Sequence, residues 1–228
     1  MPIMSLGYRS SEVTTNLGHP TYPNLLDQLV SQNIIASPTY SIYLNGFDYS
    51  SGSILFGGVD LNKFTPPLYT LPINSDLSGS FVRFWVSLTG LGVTVPGSTS
   101  SVSIGTSTFP LSVLFDTGTT FSYLPTAVVA PLAEALHATS GPDAQGRYTV
   151  PCSLQSQSGH IDFVFSGLQL HIPYSQLIFE VSTGECVLGI MADDSGCSNV
   201  LGDSFLRNIY VVYDLVQMAI GNILIEGQ

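Results

Sequence analysis

Apolar residues recur along most of this chain in short runs of about four to eight, many of them alternating with polar residues, and Gly, Pro, Asn, Asp and Ser punctuate the gaps. That rhythm predicts an all-β protein of sandwich or barrel type. The clearest strand candidates are Thr39–Leu44, Ser53–Gly58, Phe81–Leu88, Ser101–Ile104, Leu111–Phe115, Asp162–Phe165, Leu168–Ile172, Ile209–Asp214 and Met218–Leu224, with hairpin turns around Gly46–Ser51 and Leu215–Gln217. Two stretches follow a helical period instead. Leu25, Leu26, Leu29 and Val30 share one face within Tyr22–Ser31, and Ala and Leu recur after a leading proline in Pro125–His137, so both are predicted to be short surface helices. The Ser/Thr-rich run Gly97–Thr108 reads as a loop or hairpin tip. Pro66, Pro67 and Pro72 interrupt the strand rhythm within Phe64–Asn74 and mark a boundary between two β-rich parts.

Composition narrows the classes of function. The chain has 228 residues, 44% of them hydrophobic, with 11 Tyr and 12 Phe, enough to build a core. Five Lys+Arg stand against sixteen Asp+Glu, giving a net charge of -11 and a pI near 4.3. A basic footprint for nucleic acid is therefore absent, and the same scarcity argues against anionic membranes. No apolar run approaches the roughly 18 residues of a spanning helix, so the chain reads as soluble. Few basic groups also mean little positive self-repulsion when carboxylates are protonated, which suits acidic surroundings. Three cysteines allow at most one internal disulfide, or three reduced thiols. Met1-Pro2-Ile3-Met4 has neither the basic nor the apolar region of a signal peptide, so either the chain is cytosolic or its natural start lies upstream. No Asn-x-Ser/Thr sequon occurs. His19, His137, His160 and His171 lack metal-ligand spacing, and Gly57-Gly58 leads into no phosphate-binding helix, so no metal and no nucleotide cofactor is expected.

One segment carries chemistry. In Val113-Leu114-Phe115-Asp116-Thr117-Gly118-Thr119-Thr120 an apolar strand runs straight into a carboxylate, a glycine and three hydroxyl residues. A carboxylate at the mouth of a buried strand needs hydrogen-bond donors, because desolvating it alone is costly. Gly118 permits a sharp turn with amides facing the acid, and the threonine hydroxyls can donate as well. Asp-Thr-Gly by itself describes many ordinary turns. It gains weight from a second segment, Val200-Leu201-Gly202-Asp203-Ser204-Phe205-Leu206-Arg207, followed by Tyr210-Val211-Val212-Tyr213-Asp214.

In order and spacing, the two segments resemble the Asp-Thr-Gly loop and the apolar-apolar-Gly segment that cross beneath the active site of pepsin-like aspartic proteases. Ser53-Ile54-Leu55-Phe56-Gly57-Gly58-Val59-Asp60 resembles the segment closing that family's N-terminal lobe, and with Tyr40-Ser41-Ile42-Tyr43-Leu44 it looks like the secreted fungal enzymes. The resemblance implies a pepsin-like acid-protease barrel lobe in residues 73–228, preceded in residues 1–72 by the end of the N-terminal lobe. It pairs Cys152 with Cys186, a loop whose closure contributes about 3–4 kcal/mol, and leaves Cys197 over. It makes Asp116 a catalytic aspartate, with Thr117 bracing the paired loops from beneath, Gly118 and Thr119 on the substrate backbone and Thr120 in a subsite. Phe84 and Trp85 align with pocket aromatics, or are two core aromatics on a strand. Secretion, or an acidic vacuole, is the compartment implied, with peptides as substrates.

This chemistry uses two carboxylates that share a proton around an attacking water, since two like charges about 3 Å apart cannot both ionise. The chain offers one. Asp194-Ser195-Gly196 has suitable letters but follows Met191-Ala192-Asp193 in a polar setting, and the flap tyrosine of the family has no counterpart. Pro2-Ile3-Met4-Ser5-Leu6-Gly7-Tyr8 resembles the apolar-apolar-Gly segment of the first lobe, with Ser5 and Pro2 where that family has glycine. Three readings follow: an incomplete aspartic endopeptidase that needs its first lobe in cis or from a second chain, a half-enzyme active as a homodimer, or an inactive peptide-binding relative.

Overall fold

The computed structural model describes residues 4, 6–12, 15, 17–46, 51–104, 106–196, 199–216 and 219–224. In chain order the strands are β1 (Thr39–Leu44), β2 (Gly52–Phe56), β3 (Tyr69–Pro72), β4 (Trp85–Leu88), β5 (Gly90–Thr94), β6 (Val102–Ile104), β7 (Leu111–Phe115), β8 (Ser122–Leu124), β9 (Thr149–Val150), β10 (His160–Phe165), β11 (Leu168–Pro173), β12 (Ile178–Ser182), β13 (Glu185–Leu188), β14 (Ile190–Ala192), β15 (Asn199–Leu201), β16 (Ile209–Asp214) and β17 (Ala219–Leu224). Helices are few and short: α1 (Leu25–Ser31), α2 (Thr126–Ala135), α3 (Tyr174–Leu177) and α4 (Asp203–Leu206). The protein is all-β, as the apolar rhythm predicts. None of the described helices is long and apolar enough to cross a membrane.

Residues 1–44, 51–86 and 209–228 form one compact unit. Its sheet has the order β2-β1-β16-β17-β3 with every pair antiparallel, so segments from both ends of the chain share one ladder. Aromatic residues fill it. Tyr40 lies opposite Tyr213 with the rings stacked at 4.7 Å, and Phe84 packs against Tyr213 at 4.6 Å and Tyr8 at 5.2 Å. Such pairs contribute about 0.5–1.5 kcal/mol beyond the area they bury. The Tyr210 hydroxyl accepts from the Asp60 amide and donates to Ser41 Oγ, each at 2.7 Å, and Ser41 Oγ donates to the Gly58 carbonyl at 3.0 Å. This chain of bonds fastens the Gly57-Gly58-Val59-Asp60 segment to the sheet.

Two expected elements begin well inside their foreseen bounds. The strand foreseen over Phe81–Leu88 begins only at Trp85, because the Val82 carbonyl is taken by the Ser11 hydroxyl and Phe84 turns into the aromatic cluster. The first helix begins at Leu25 and not at Tyr22. Asn24 caps it, accepting from the Asp27 amide at 3.1 Å while Asp27 accepts from the Asn24 amide at 2.8 Å. Phe47–Ser50 and Gln217 of the two foreseen hairpin turns, together with Cys197, Pro2, Ile3, Ser5 and Met218, lie outside the described residues.

Residues 45–50 and 87–208 form the second unit. It contains a four-stranded sheet, β11-β10-β5-β6, a three-stranded sheet, β12-β13-β9, and the sheet β14-β8-β15-β7-β4. Phe115, Phe163, Phe165 and Phe205 meet in its core, with Phe163 and Phe205 4.7 Å apart. Helix α2 buries Val128, Val129, Leu132 and Ala133. It ends in two reversed bonds, His137 N–H to Glu134 O and Ala138 N–H to Ala133 O, with His137 in the left-handed region at φ 57°. A disulfide joins Cys152 to Cys186 and so ties the turn before β10 to β13.

The sheet of β5, β6, β10 and β11 holds one fully buried carboxylate. Asp162 accepts from Thr94 Oγ1 and Ser101 Oγ, both at 2.6 Å, on one oxygen, and from His171 Nδ1 on the other. Removing it leaves the buried Thr94 hydroxyl without an acceptor, while Ser101 and His171, both exposed, can turn to water. The Asp162→Ala variant is expected to lose about 1–3 kcal/mol of stability, read as a lowered urea midpoint, with Asp162→Asn intermediate.

Candidate active site

Strand β7 delivers Asp116 to the surface of the second unit. Val113 and Phe115 are buried and anchor the strand, while Asp116 at its exit is half-buried. The next residues turn sharply. Gly118 donates its amide to Asp116 Oδ1 at 2.9 Å, and Thr119 Oγ1 donates to Asp116 Oδ2 at 2.7 Å. Each carboxylate oxygen therefore has its own donor, one from the backbone and one from a side chain, and the plane of the group is set. A side chain at Gly118 would place its Cβ 3.1 Å from Asp116 Oδ1.

The loop is fastened to a second segment. Strand β15 runs parallel to β7, with Asn199 opposite Val113 and Leu201 opposite Phe115, and the Asn199 side-chain amide donates to the Ser112 carbonyl at 3.0 Å. Beyond the strands the contact continues through single bonds. The Asp116 amide donates to Leu201 O at 3.2 Å, the Asp203 amide to Thr119 O at 2.7 Å and the Ser204 amide to Thr120 O at 2.9 Å. Gly202 sits at the crossing, where a Cβ would lie 2.4 Å from Thr119 O and 2.5 Å from Phe121 O. Its φ of -92° is available to any residue. Space, and not backbone conformation, demands glycine here.

Two other carboxylates clarify the site. Asp194, of the Asp-Ser-Gly triplet, accepts from the Thr126 amide at the start of α2 at 2.9 Å, and bonding from the Thr126 side chain, together with that amide, holds its carboxyl below the usual range. It is an exposed helix cap. Asp203 opens α4, and burial pushes its carboxyl above the usual range; the Arg207 guanidinium, 3.5 Å away, opposes this and the Asp116 charge adds to it. Asp203 Oδ1 accepts no hydrogen bond among the described residues.

The remaining site candidates are placed as follows. Thr117, Gly118 and Thr120 are exposed, and Thr119 is half-buried beneath the carboxylate. Phe84 is buried among Tyr8, Tyr40 and Tyr213 in the first unit, and Trp85 is half-buried. Ser122 and Ser204, both fully buried under the loop, were invisible as site residues in the sequence, where neither stands out from the many serines of the chain.

Across residues 2–222 the chain matches the family model described as eukaryotic aspartyl protease. It belongs to that family. It is similar to "Aspartic proteinase 3" of Saccharomyces cerevisiae, 38% identical over 96% of this chain and 38% of the relative. It is also similar to "Probable aspartic-type endopeptidase opsB" of Aspergillus fumigatus, 35% identical over 93% of this chain and 44% of the relative. "Secreted aspartic protease 9" of Candida albicans is 35% identical over 93% of this chain and 39% of that protein. The chain thus spans less than half the length of each of these relatives.

Two outcomes follow from this geometry. Gly202→Ala should cost about 3 kcal/mol or more, the scale of forced overpacking, and should expose the Asp203 and Ser204 amides to faster hydrogen exchange. Because the Asp203 carboxyl is raised in the fold, the folded chain binds that proton before the unfolded chain does as pH falls. This group therefore adds stability on acidification from its folded value toward the ordinary one, and costs stability above it. In a carboxyl NMR titration, Asp116→Asn should lower the Asp203 midpoint, since one of the raising charges is gone.

Proposed function

We propose that this chain serves aspartic-type endopeptidase chemistry as the C-terminal lobe of the enzyme, residues 73–228, preceded in residues 1–72 by the end of the N-terminal lobe. The observation that carries the reading is the Asp116 carboxylate: half-buried at a strand exit, with one donor on each oxygen, on a loop pinned to the Gly202 turn. Such a carboxylate is oriented without an ion pair among the described residues. It can hold a water and take its proton as that water attacks a peptide carbonyl.

The attack also needs an acid to polarise the carbonyl. Two carboxylates that share one proton provide both roles, and this chain supplies one of them, Asp116. The second comes from an Asp-Thr-Gly loop of a first lobe, in cis or on another chain. In this reading Gly118 and Thr119 meet the backbone of an extended peptide, Thr120 borders a subsite, and Thr117, exposed, awaits the loop of the other lobe. Trp85 is offered as a pocket aromatic. Phe84, sunk in an aromatic cluster, belongs to the core. An extracellular or acidic vacuolar setting is supported by the disulfide, by the scarcity of basic residues and by a relative whose name says it is secreted.

Hydrolysis of an unstructured protein at about pH 3–5, where a carboxylate pair shares one proton, tests the reading. The folded chain alone is expected to be inactive, and a polypeptide carrying the family's first lobe should confer activity that Asp116→Asn abolishes. Activity of the lone chain that Asp116→Asn removes would instead identify a homodimer. No activity with the added lobe, despite its binding, would identify a peptide-binding relative and overturn the proposal.

A further inference from the structure

The loop that bears Asp116 leaves toward β8, and a pair of serines governs that exit. Ser122 and Ser204 are both fully buried. Their oxygens lie 3.0 Å apart. The Gly202 amide donates to Ser122 Oγ at 3.2 Å, and Ser204 Oγ donates to the Gly189 carbonyl at 2.8 Å. The Ser122 amide reaches Ser204 Oγ and Gly189 O, each at 3.1 Å.

These contacts fix the direction of every proton. Ser204 has one hydroxyl proton, and the Gly189 carbonyl can only accept, so that proton is committed to Gly189. The bond between the two hydroxyls must then be donated by Ser122. Ser122 Oγ is left with lone pairs for the Gly202 amide. The result is a single directed run, from Gly202 N–H through Ser122 and Ser204 to Gly189 O, in which each hydroxyl both donates and accepts. In a site with no exposure, water cannot replace either member.

The position of this run matters more than its presence. Asp116 N–H to Leu201 O fixes the entry of the loop, and the serine pair fixes its exit at Ser122, two residues beyond the bond from the Ser204 amide to Thr120 O. Residues 117–121 span the interval, and two of them hold the carboxylate. We propose that Ser122 and Ser204 are positioning residues for Asp116: their directed hydroxyl pair clamps the loop exit to the Gly202 turn and so keeps the Gly118 amide and the Thr119 hydroxyl on the two carboxylate oxygens. This inference rests on reading Asp116 as the catalytic carboxylate, and it assigns no contact with substrate to either serine.

The test uses the full chain and a readout of the carboxylate itself. The Gly118 amide donates to Asp116 Oδ1, so its NMR shift follows ionisation of that group. Ser204→Val fills the space without a hydroxyl, Ser204→Thr restores the hydroxyl, and Ser122→Ala, the mildest change, removes the acceptor for Gly202 and the donor to Ser204. Ser204→Val and Ser122→Ala should each reduce the pH-dependent movement of the Gly118 amide by about half or more. They should also speed exchange of the Gly202 and Asp203 amides on the order of tenfold, the size of one lost buried hydrogen bond, while amides of β10 and β11 stay unchanged. Ser204→Thr should behave as the parent. If Ser204→Val does not fold, Ser122→Ala with Ser204→Thr decides alone. A Gly118 response that survives loss of the hydroxyls, whatever happens to stability, would reduce the pair to core packing. Because no step measures hydrolysis, a chain that retains this coupling yet stays inactive with a first lobe bound would count against the catalytic reading of Asp116 and leave the positioning role intact.

Discussion

The carbonyls of Thr119 and Phe121 press against the α-carbon of Gly202, at distances where even a methyl group would collide. This close approach organises the second unit. It lets β7 and β15 run side by side as parallel strands and brings the amides of Asp203 and Ser204 onto the carbonyls of Thr119 and Thr120. The loop bearing Asp116 consequently has the carbonyls of Thr119 and Thr120 satisfied by a distant segment, while the Gly118 amide and the Thr119 hydroxyl serve the carboxylate. A tight turn made only of local bonds would have spent Gly118 and Thr119 on itself.

Charge is distributed in keeping with that arrangement. Asp116 has hydrogen-bond donors but no ion pair among the described residues, whereas Asp203, the residue after Gly202, lies beside Arg207. Burial is the main reason that Asp203 takes up its proton more readily; Arg207 opposes this and the Asp116 charge adds to it. Elsewhere Asp27, paired with Arg9, and Asp194, at a helix start, are stabilised in the charged form. Acid therefore acts in opposite senses on different parts of the molecule: it strips stabilising charge from caps and pairs while it relieves a strained charge beside the Asp116 loop.

Much of this was legible in the residues. Alternating apolar runs located β1, β7, β10, β11 and β16 to within a few positions, because each packs a full face into a core and carries its period with it. The Asp116 loop and the Gly202 turn were readable together, since an acid at a strand mouth and a glycine after two apolar residues both answer steric or electrostatic demands. The three-residue strands β8, β14 and β15 were not readable: a segment that short has no period, and it is a strand only because partners from elsewhere flank it. Ser122 and Ser204 stayed hidden for the same reason, as nothing local separates a buried, doubly bonded serine from one in a loop. Phe84 illustrates the converse, an aromatic whose place in a cluster depends on Tyr8 and Tyr213 from opposite ends of the chain.

The central proposal is that Asp116 is one half of a carboxylate pair whose other half comes from a first lobe. Calorimetric titration of the folded chain with a pepstatin-type inhibitor, whose tight binding needs both carboxylates, tests it most directly. The account predicts no tight binding by the monomeric chain, and binding that depends on Asp116 once a first lobe is supplied. Tight one-to-one binding by the monomer, unaffected by Asp116→Asn, would contradict it.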